Sequence, residues 1–282
     1  MKKIKNLLVS SLVAFSLLSP FPVFADRQEA KKEISWYVDE RFDNFYNYIE
    51  KNKVDSVDAV KEAFKTHNIV CVGEVHDESH REFAVKYLKD LKGVVDYFGV
   101  EVSTDYNGKD GRIDYEKYAK DFKNASNGIT ELTMIKAAID AGLEVVCLDE
   151  PLQSNACKKP RDETIKDNIK KFKDKKMLVW YGSHHVSKYD RGLEGTPFLR
   201  RLVDENIKPY SVLLLTPTNS ERLSKTILFY SKLRNESFML KDLDKVPEEV
   251  YNYNMQVKEI FMCFDAFIYY VPENMKVLKD NF

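Results

Sequence analysis

Ile69-Val70-Cys71-Val72-Gly73-Glu74-Val75-His76-Asp77-Glu78-Ser79-His80 decides how this chain is read. It opens with an unbroken apolar run, Ile69 to Val72, bounded by Gly73. Apolar and β-branched residues without polar alternation suit a strand buried on both faces. Glu74, His76, Asp77 and His80 follow at once, and then Phe83, Ala84, Tyr87, Leu88 and Leu91 share one helical face. Strand, polar turn and helix in that order put ionisable side chains at the carboxyl edge of a sheet, where open α/β proteins hold their sites.

The same alternation continues outward from this stretch. Val94 to Val102 reads as a second strand with Glu101 near its end, and Leu143 to Leu148 as a third that runs into Asp149-Glu150. Met177 to Tyr181 is a fourth, stopped by Gly182 and followed by Ser183-His184-His185. Ser211 to Leu215 and Ala266 to Val271 complete the set, while residues 216–262 show no clear pattern. Helical spacing fills residues 114–122, 130–141, 161–172 and 196–206, with Gly142 closing the second of these. Upstream, Ser56 is expected to open a short helix, and residues 29–51 form an amphipathic N-terminal helix through Ile34, Val38, Phe42, Phe45 and Ile49. The pattern implies an α/β fold: a single domain, residues 26–282, with a largely parallel central sheet flanked by helices.

Residues 1–25 are set apart. Lys2, Lys3 and Lys5 precede an apolar core from Leu7 to Leu18, Pro20 and Pro22 break it, and Val23-Phe24-Ala25 supplies small residues for cleavage. This is the pattern of a signal peptide cut after Ala25, so export to a periplasm or to the extracellular medium is expected. No later apolar stretch is long enough to span a bilayer. The formal net charge is −1 with both signs interspersed, which argues against a nucleic-acid partner. Cys71 and Cys147 lie in apolar strand runs, Cys157 in a polar loop, and no Cys-x-x-Cys occurs, so neither a disulfide framework nor a cysteine metal site is expected.

Two strands end in Gly-x-x-His: Gly73 to His76 and Gly182 to His185. Glycine is expected to let the backbone turn sharply there, with the histidine on the turn. His185 is preferred over His184, because adjacent side chains diverge. Asp77 suits a helix N-cap, and His80, in the first helical turn, is expected to face solvent. Arg161 opens a helix after Pro160; it either holds a carboxylate or an anionic substrate, or is a solvated first-turn residue beside Asp162. The candidate site is therefore Glu74, His76, Glu101, Arg161 and His185. Two imidazoles and a carboxylate, His76, His185 and Glu101, suit Zn, Mn or Co with positions left for water. Such a metal would acidify that water, and Glu74 would take its proton.

The segments GEVHDESH, VEVS, RDETIKDNI and YGSHHVSKYDRG, spanning residues 69–192, with FDAFIYYVPE near the end, resemble the superfamily of ChaN-like haem-binding, erythromycin esterase-like and TIKI/TraB proteins. The TIKI branch implies a metal-dependent protease using His76, His185 and Glu101. The esterase branch implies His76 as a metal-free general base supported by Glu74 and Glu101. The ChaN-like branch implies haem held by a tyrosine, with dimerisation around it, but none of the 16 tyrosines is assignable to that role. The function expected is an exported hydrolase acting on a peptide or ester bond of a small-molecule or peptide substrate, assisted by a divalent metal. The alternative is a haem-binding protein of iron or haem uptake, a homodimer around its ligand.

Overall fold

The apolar run at Ile69 is the middle of a sheet. In the computed structural model, β1 (Ile69–Glu74) is buried along its whole length. It pairs in parallel with β4 (Met177–Gly182) on one side and β5 (Tyr210–Leu215) on the other. With β2 (Tyr97–Ser103), β3 (Glu144–Asp149), β6 (Phe238–Leu240) and β7 (Ala266–Tyr269), the order across seven strands is β3-β2-β4-β1-β5-β7-β6. Among these seven strands every pairing is parallel except that of β6 with β7. The structure describes residues 40–122, 130–152, 159–189, 195–217, 233, 236–251 and 255–276. The expected signal peptide, the first part of the N-terminal helix, Cys157 and Asp190-Arg191-Gly192 lie outside them. Contacts divide the chain into residues 1–44 and 45–282, and the sheet belongs to the second unit.

Among the described residues the α-helices are α1 (Glu40–Asn52), α2 (Ser56–Thr66), α3 (Glu78–Tyr87), α4 (Tyr115–Phe122), α5 (Glu131–Asp140), α6 (Arg161–Lys170), α7 (Phe198–Asp204), α8 (Glu248–Tyr251), α9 (Met255–Cys263) and α10 (Glu273–Lys276). Successive strand residues face opposite ways, so each strand feeds two cores. Ile69 and Cys71 join Val179 and Tyr181 on one face, beneath Ile165 and Ile169 of α6, Phe198 and Leu202 of α7 and Phe261 of α9. Val70 and Val72 join Trp180 on the other, beneath Val60 and Phe64 of α2, Phe83 of α3 and Met134 and Ile135 of α5. Burying one such side chain contributes about 1.5–3 kcal/mol. That is why the central strands read as continuous apolar runs.

Three sequence expectations shift. The N-cap of α2 is Asp55, whose side chain accepts from Val57 and Asp58 N–H, so Ser56 is already inside the helix. β1 runs on through Gly73 to Glu74 instead of stopping at the glycine. β6, three residues long, falls within the stretch that showed no pattern, because so short a segment carries no readable period. Cys71, Cys147 and Cys263 are free and buried. Among the described residues no helix is long and apolar enough to cross a membrane.

Candidate active site

Parallel strands in register end on the same edge. Glu74 stands opposite Gly182, and Ser103 opposite Asp149. The edge formed by β3-β2-β4-β1 therefore receives Glu74, Glu101 and Asp149 from the strands themselves. The turn after β1 adds His76, the turn after β4 adds His185, and the first residues of α6 add Arg161 and Asp162. All five residues expected from sequence meet here.

His76 is placed by its backbone. Its φ is 58°, in the left-handed region that few non-glycine residues occupy. The imidazole Nδ1 lies 2.9 Å from Glu74 Oε1, and Nε2 lies 3.5 Å from Glu101 Oε2. The carboxylate fixes the ring with its Nδ1–H donating to Glu74. Glu74 is 4% exposed while His76 is 50% exposed, so a buried anion backs an accessible base. The bond to Glu74, and then the charge of Glu101, hold the imidazole pKa above its ordinary value.

Glu101 joins the two halves of the site. Its Oε2 accepts from the Gly182 backbone N–H at 2.8 Å, and its Oε1 accepts from Arg161 Nη2 at 2.6 Å. Arg161 also donates from Nε and Nη2 to the two oxygens of Asp149, at 2.9 and 2.5 Å. That two-pronged contact, above all, raises the guanidinium pKa further and keeps it charged. Arg161 Nη1 lies 3.3 Å from His185 Nε2, and His185 Nδ1 lies 2.9 Å from Asp162 Oδ1. The tautomer that satisfies both has Nδ1–H donating to Asp162 and Nε2 accepting from Arg161. Asp162 also accepts the Phe198 N–H at 2.7 Å, which ties α7 to the site.

The sequence marks Asp149 only as a strand end and Asp162 only as a helix-dipole partner, yet both are built into the site. Their strand-end and first-turn positions were the signals available. Other expectations need correction. Neither Gly73 nor Gly182 has positive φ, so neither makes the sharp turn; His76 does. A Cβ on Gly182 would lie 3.0 Å from His76 Nε2 and 3.4 Å from Glu101 Oε2, so the glycine makes room for the site. His80 does not face solvent. It is fully buried, its Nδ1 accepts the Val75 N–H at 3.1 Å, and burial lowers its pKa. It thereby holds the turn that carries His76, while Asp77 caps α3 as expected through the His80 N–H. His184 is exposed.

The donors proposed for a metal, His76, His185 and Glu101, are arranged differently from a ligand set. Arg161 occupies the place between His185 Nε2 and Glu101 Oε1. Among the described residues no group of three or more His, Cys, Asp or Glu side chains is arranged to hold an ion. As placed, these side chains fit a guanidinium rather than a divalent cation, and no step below passes through a metal.

Glu101, Asp149 and Arg161 open onto a cleft of about 490 Å³, which is also lined by Tyr106, Tyr118, Phe122 and Glu131. No protein-family model and no curated protein matches the chain. Among solved structures, a mutant of the erythromycin esterase EreC in its open conformation superposes with a TM-score of 0.50 at 11% identity, covering 76% of this chain and 93% of that one. The chain is similar in fold to an erythromycin esterase. A structure described as bacterial protein toxins gives a TM-score of 0.37 at 13% identity, and the chain covers 42% of it. The Pasteurella multocida toxin, described as having a thiol-protease like catalytic triad in its C-terminal region, gives 0.35 at 14%, with 30% of that chain covered. At these identities the likeness concerns the fold alone.

Proposed function

We propose that the protein is a hydrolase of ester or peptide bonds in which His76 is the general base. The observation that carries this is His76 itself: a half-exposed imidazole on a left-handed turn, its Nδ1 bonded to buried Glu74 and its Nε2 turned toward Glu101. In this scheme Nε2 takes a proton from water as the water attacks the carbonyl carbon. Glu74 and Glu101 stabilise the imidazolium so formed. Arg161, 38% exposed and locked by Glu101 and Asp149, offers its one remaining N–H, on Nη1, and its charge to the oxyanion. The imidazolium then returns the proton to the leaving group, which restores the base. His185 and Asp162 are positioning residues that hold Arg161 from behind. Export, to a periplasm or the extracellular medium, belongs to the same proposal and rests on residues 1–25.

The test is turnover of a panel of neutral esters and peptides, before and after chelation, with metal content measured in parallel. His76→Ala is expected to lower kcat by about two to four orders of magnitude, and the wild-type rate is expected to survive chelation. A rate that vanishes on chelation and returns with Zn, Mn or Co would replace this scheme with the metal-assisted one through His76, His185 and Glu101. No hydrolysis at all, together with a shifted Soret band in micromolar haem, would turn the assignment to haem binding.

A further inference from the structure

The cleft beside Arg161 carries more chemistry than bond cleavage requires. Glu131, in the first turn of α5, has a carboxyl that accepts the Tyr118 hydroxyl at 3.1 Å. Glu101, Asp149, Glu150 and Glu131 line the cleft against one cation, Arg161, and that guanidinium is already committed to Asp149 and Glu101. The remaining wall is aromatic. Tyr106, Tyr118 and Phe122 form a mutual cluster, with ring centroids 4.7 to 5.8 Å apart. Tyr106 and Tyr118 are buried, and Lys117 Nζ lies 5.3 Å from the Tyr106 ring centroid, so Phe122, 39% exposed, is the ring of this cluster that is open to a ligand.

Carboxylates in excess over cations, set beside aromatic faces, suit a cation with an apolar body: the ring quadrupole and the anion attract the same charge. We propose that this cleft binds a part of the substrate bearing a protonated amine, with Glu131 taking the ammonium and Phe122 its apolar body. The assignment rests on the hydrolase reading of the adjoining edge. The groups that act on Glu131 are Tyr118 from α4, Arg81 from α3, Glu74 from β1 and Glu101 from β2. Arg81 is the one cation among them, and it stands 4.0 Å from Glu74. Burial pushes the Glu131 carboxyl up to about 7. It therefore loses its proton between pH 6 and 8, and a bound ammonium would favour that loss.

Benzylamine and benzyl alcohol, titrated calorimetrically into the full protein, test this directly. Benzylamine is expected to bind about tenfold more tightly than benzyl alcohol at pH 8. The preference should shrink at pH 6, where Glu131 holds its proton and the amine keeps its own. Glu131→Gln should abolish the preference and leave benzyl alcohol binding unchanged. Phe122→Leu, at the end of a different helix, should weaken benzylamine more than benzyl alcohol. Equal binding of the two probes by the wild type would overturn the proposal, as would an undiminished preference in a folded Glu131→Gln protein. Binding is read without turnover. An inactive protein that still prefers benzylamine would overturn the hydrolase reading alone, and an active one with no preference would overturn the cleft assignment alone.

Discussion

His76 is held where an ordinary residue is strained. A left-handed backbone costs an L-residue about 1–2 kcal/mol, and this cost is met beside a ring bonded to a buried carboxylate. Strain of that kind collects where the surrounding structure dictates the conformation. Its consequence is a pH profile. A general base works only when neutral, and the Glu74 contact is the largest cause raising the His76 pKa above 6.5. On a neutral ester, kcat/KM should therefore rise with pH to a midpoint above 6.5. Glu74→Gln keeps an acceptor near Nδ1 but removes the charge, so the midpoint should move to lower pH while the high-pH plateau falls. An unmoved midpoint would mean that Glu74 does not set the base. At this scale sequence predicted which residues come together better than how each is held. His80 looks polar and surface-bound on paper, yet it is the buried acceptor that fixes the turn. Nothing local to residues 77–80 distinguishes the two, because burial depends on what α3 packs against.

The element that matters most is the adjacent pair β1 and β4, each ending in Gly-x-x-His. Their register sets Gly73 beside Tyr181 and Glu74 beside Gly182. The two glycines serve different needs. A Cβ on Gly73 would come within 2.9 Å of the Ser183 backbone, whereas one on Gly182 would meet the ends of the His76 and Glu101 side chains. Gly73→Ala should thus cost stability, about 1–3 kcal/mol as for overpacked interiors, seen as a lower midpoint in denaturant unfolding. Gly182→Ala should leave unfolding within about 1 kcal/mol of the wild type and lower turnover by tenfold or more (about 1.4 kcal/mol), since His76 must give way. Equal loss of stability in both variants would show that Gly182 is a packing glycine. The paired motif was legible in sequence. Its reason was not, because a close approach between strands is a property of their pairing.

At the scale of the molecule, a seven-stranded sheet with helices on both faces carries one loaded edge. Four of the seven strands, β3, β2, β4 and β1, bring charged groups there, while β5, β7 and β6 extend the core. Export is the prediction that belongs to the whole chain. N-terminal sequencing of protein recovered from the secreted or periplasmic fraction should begin at Asp26, after the Val23-Phe24-Ala25 site. Recovery of a chain that still begins at Met1 would remove the export argument and leave the site chemistry untouched.

The sequence alone determined the class of fold and the position of the edge. Runs such as Ile69 to Val72 and Met177 to Tyr181 are apolar throughout because both faces of a central parallel strand are buried, and that requirement is written residue by residue. Glu74, Glu101, His76 and His185 were legible for the same reason, as polar residues where such runs end. Tertiary structure decided the rest. Several strand orders would bury these runs equally well, so periodicity does not say that β4 lies between β1 and β2. That order brings His76 and His185 to neighbouring strands and lets Glu101 reach the Gly182 N–H. It also lets Arg161 fill the space between Glu101 and His185, since a guanidinium settles where carboxylates from separate elements converge. Glu131 and its aromatic neighbours join the cleft through the packing of α4 and α5 beside that edge, a long-range arrangement that no local pattern records.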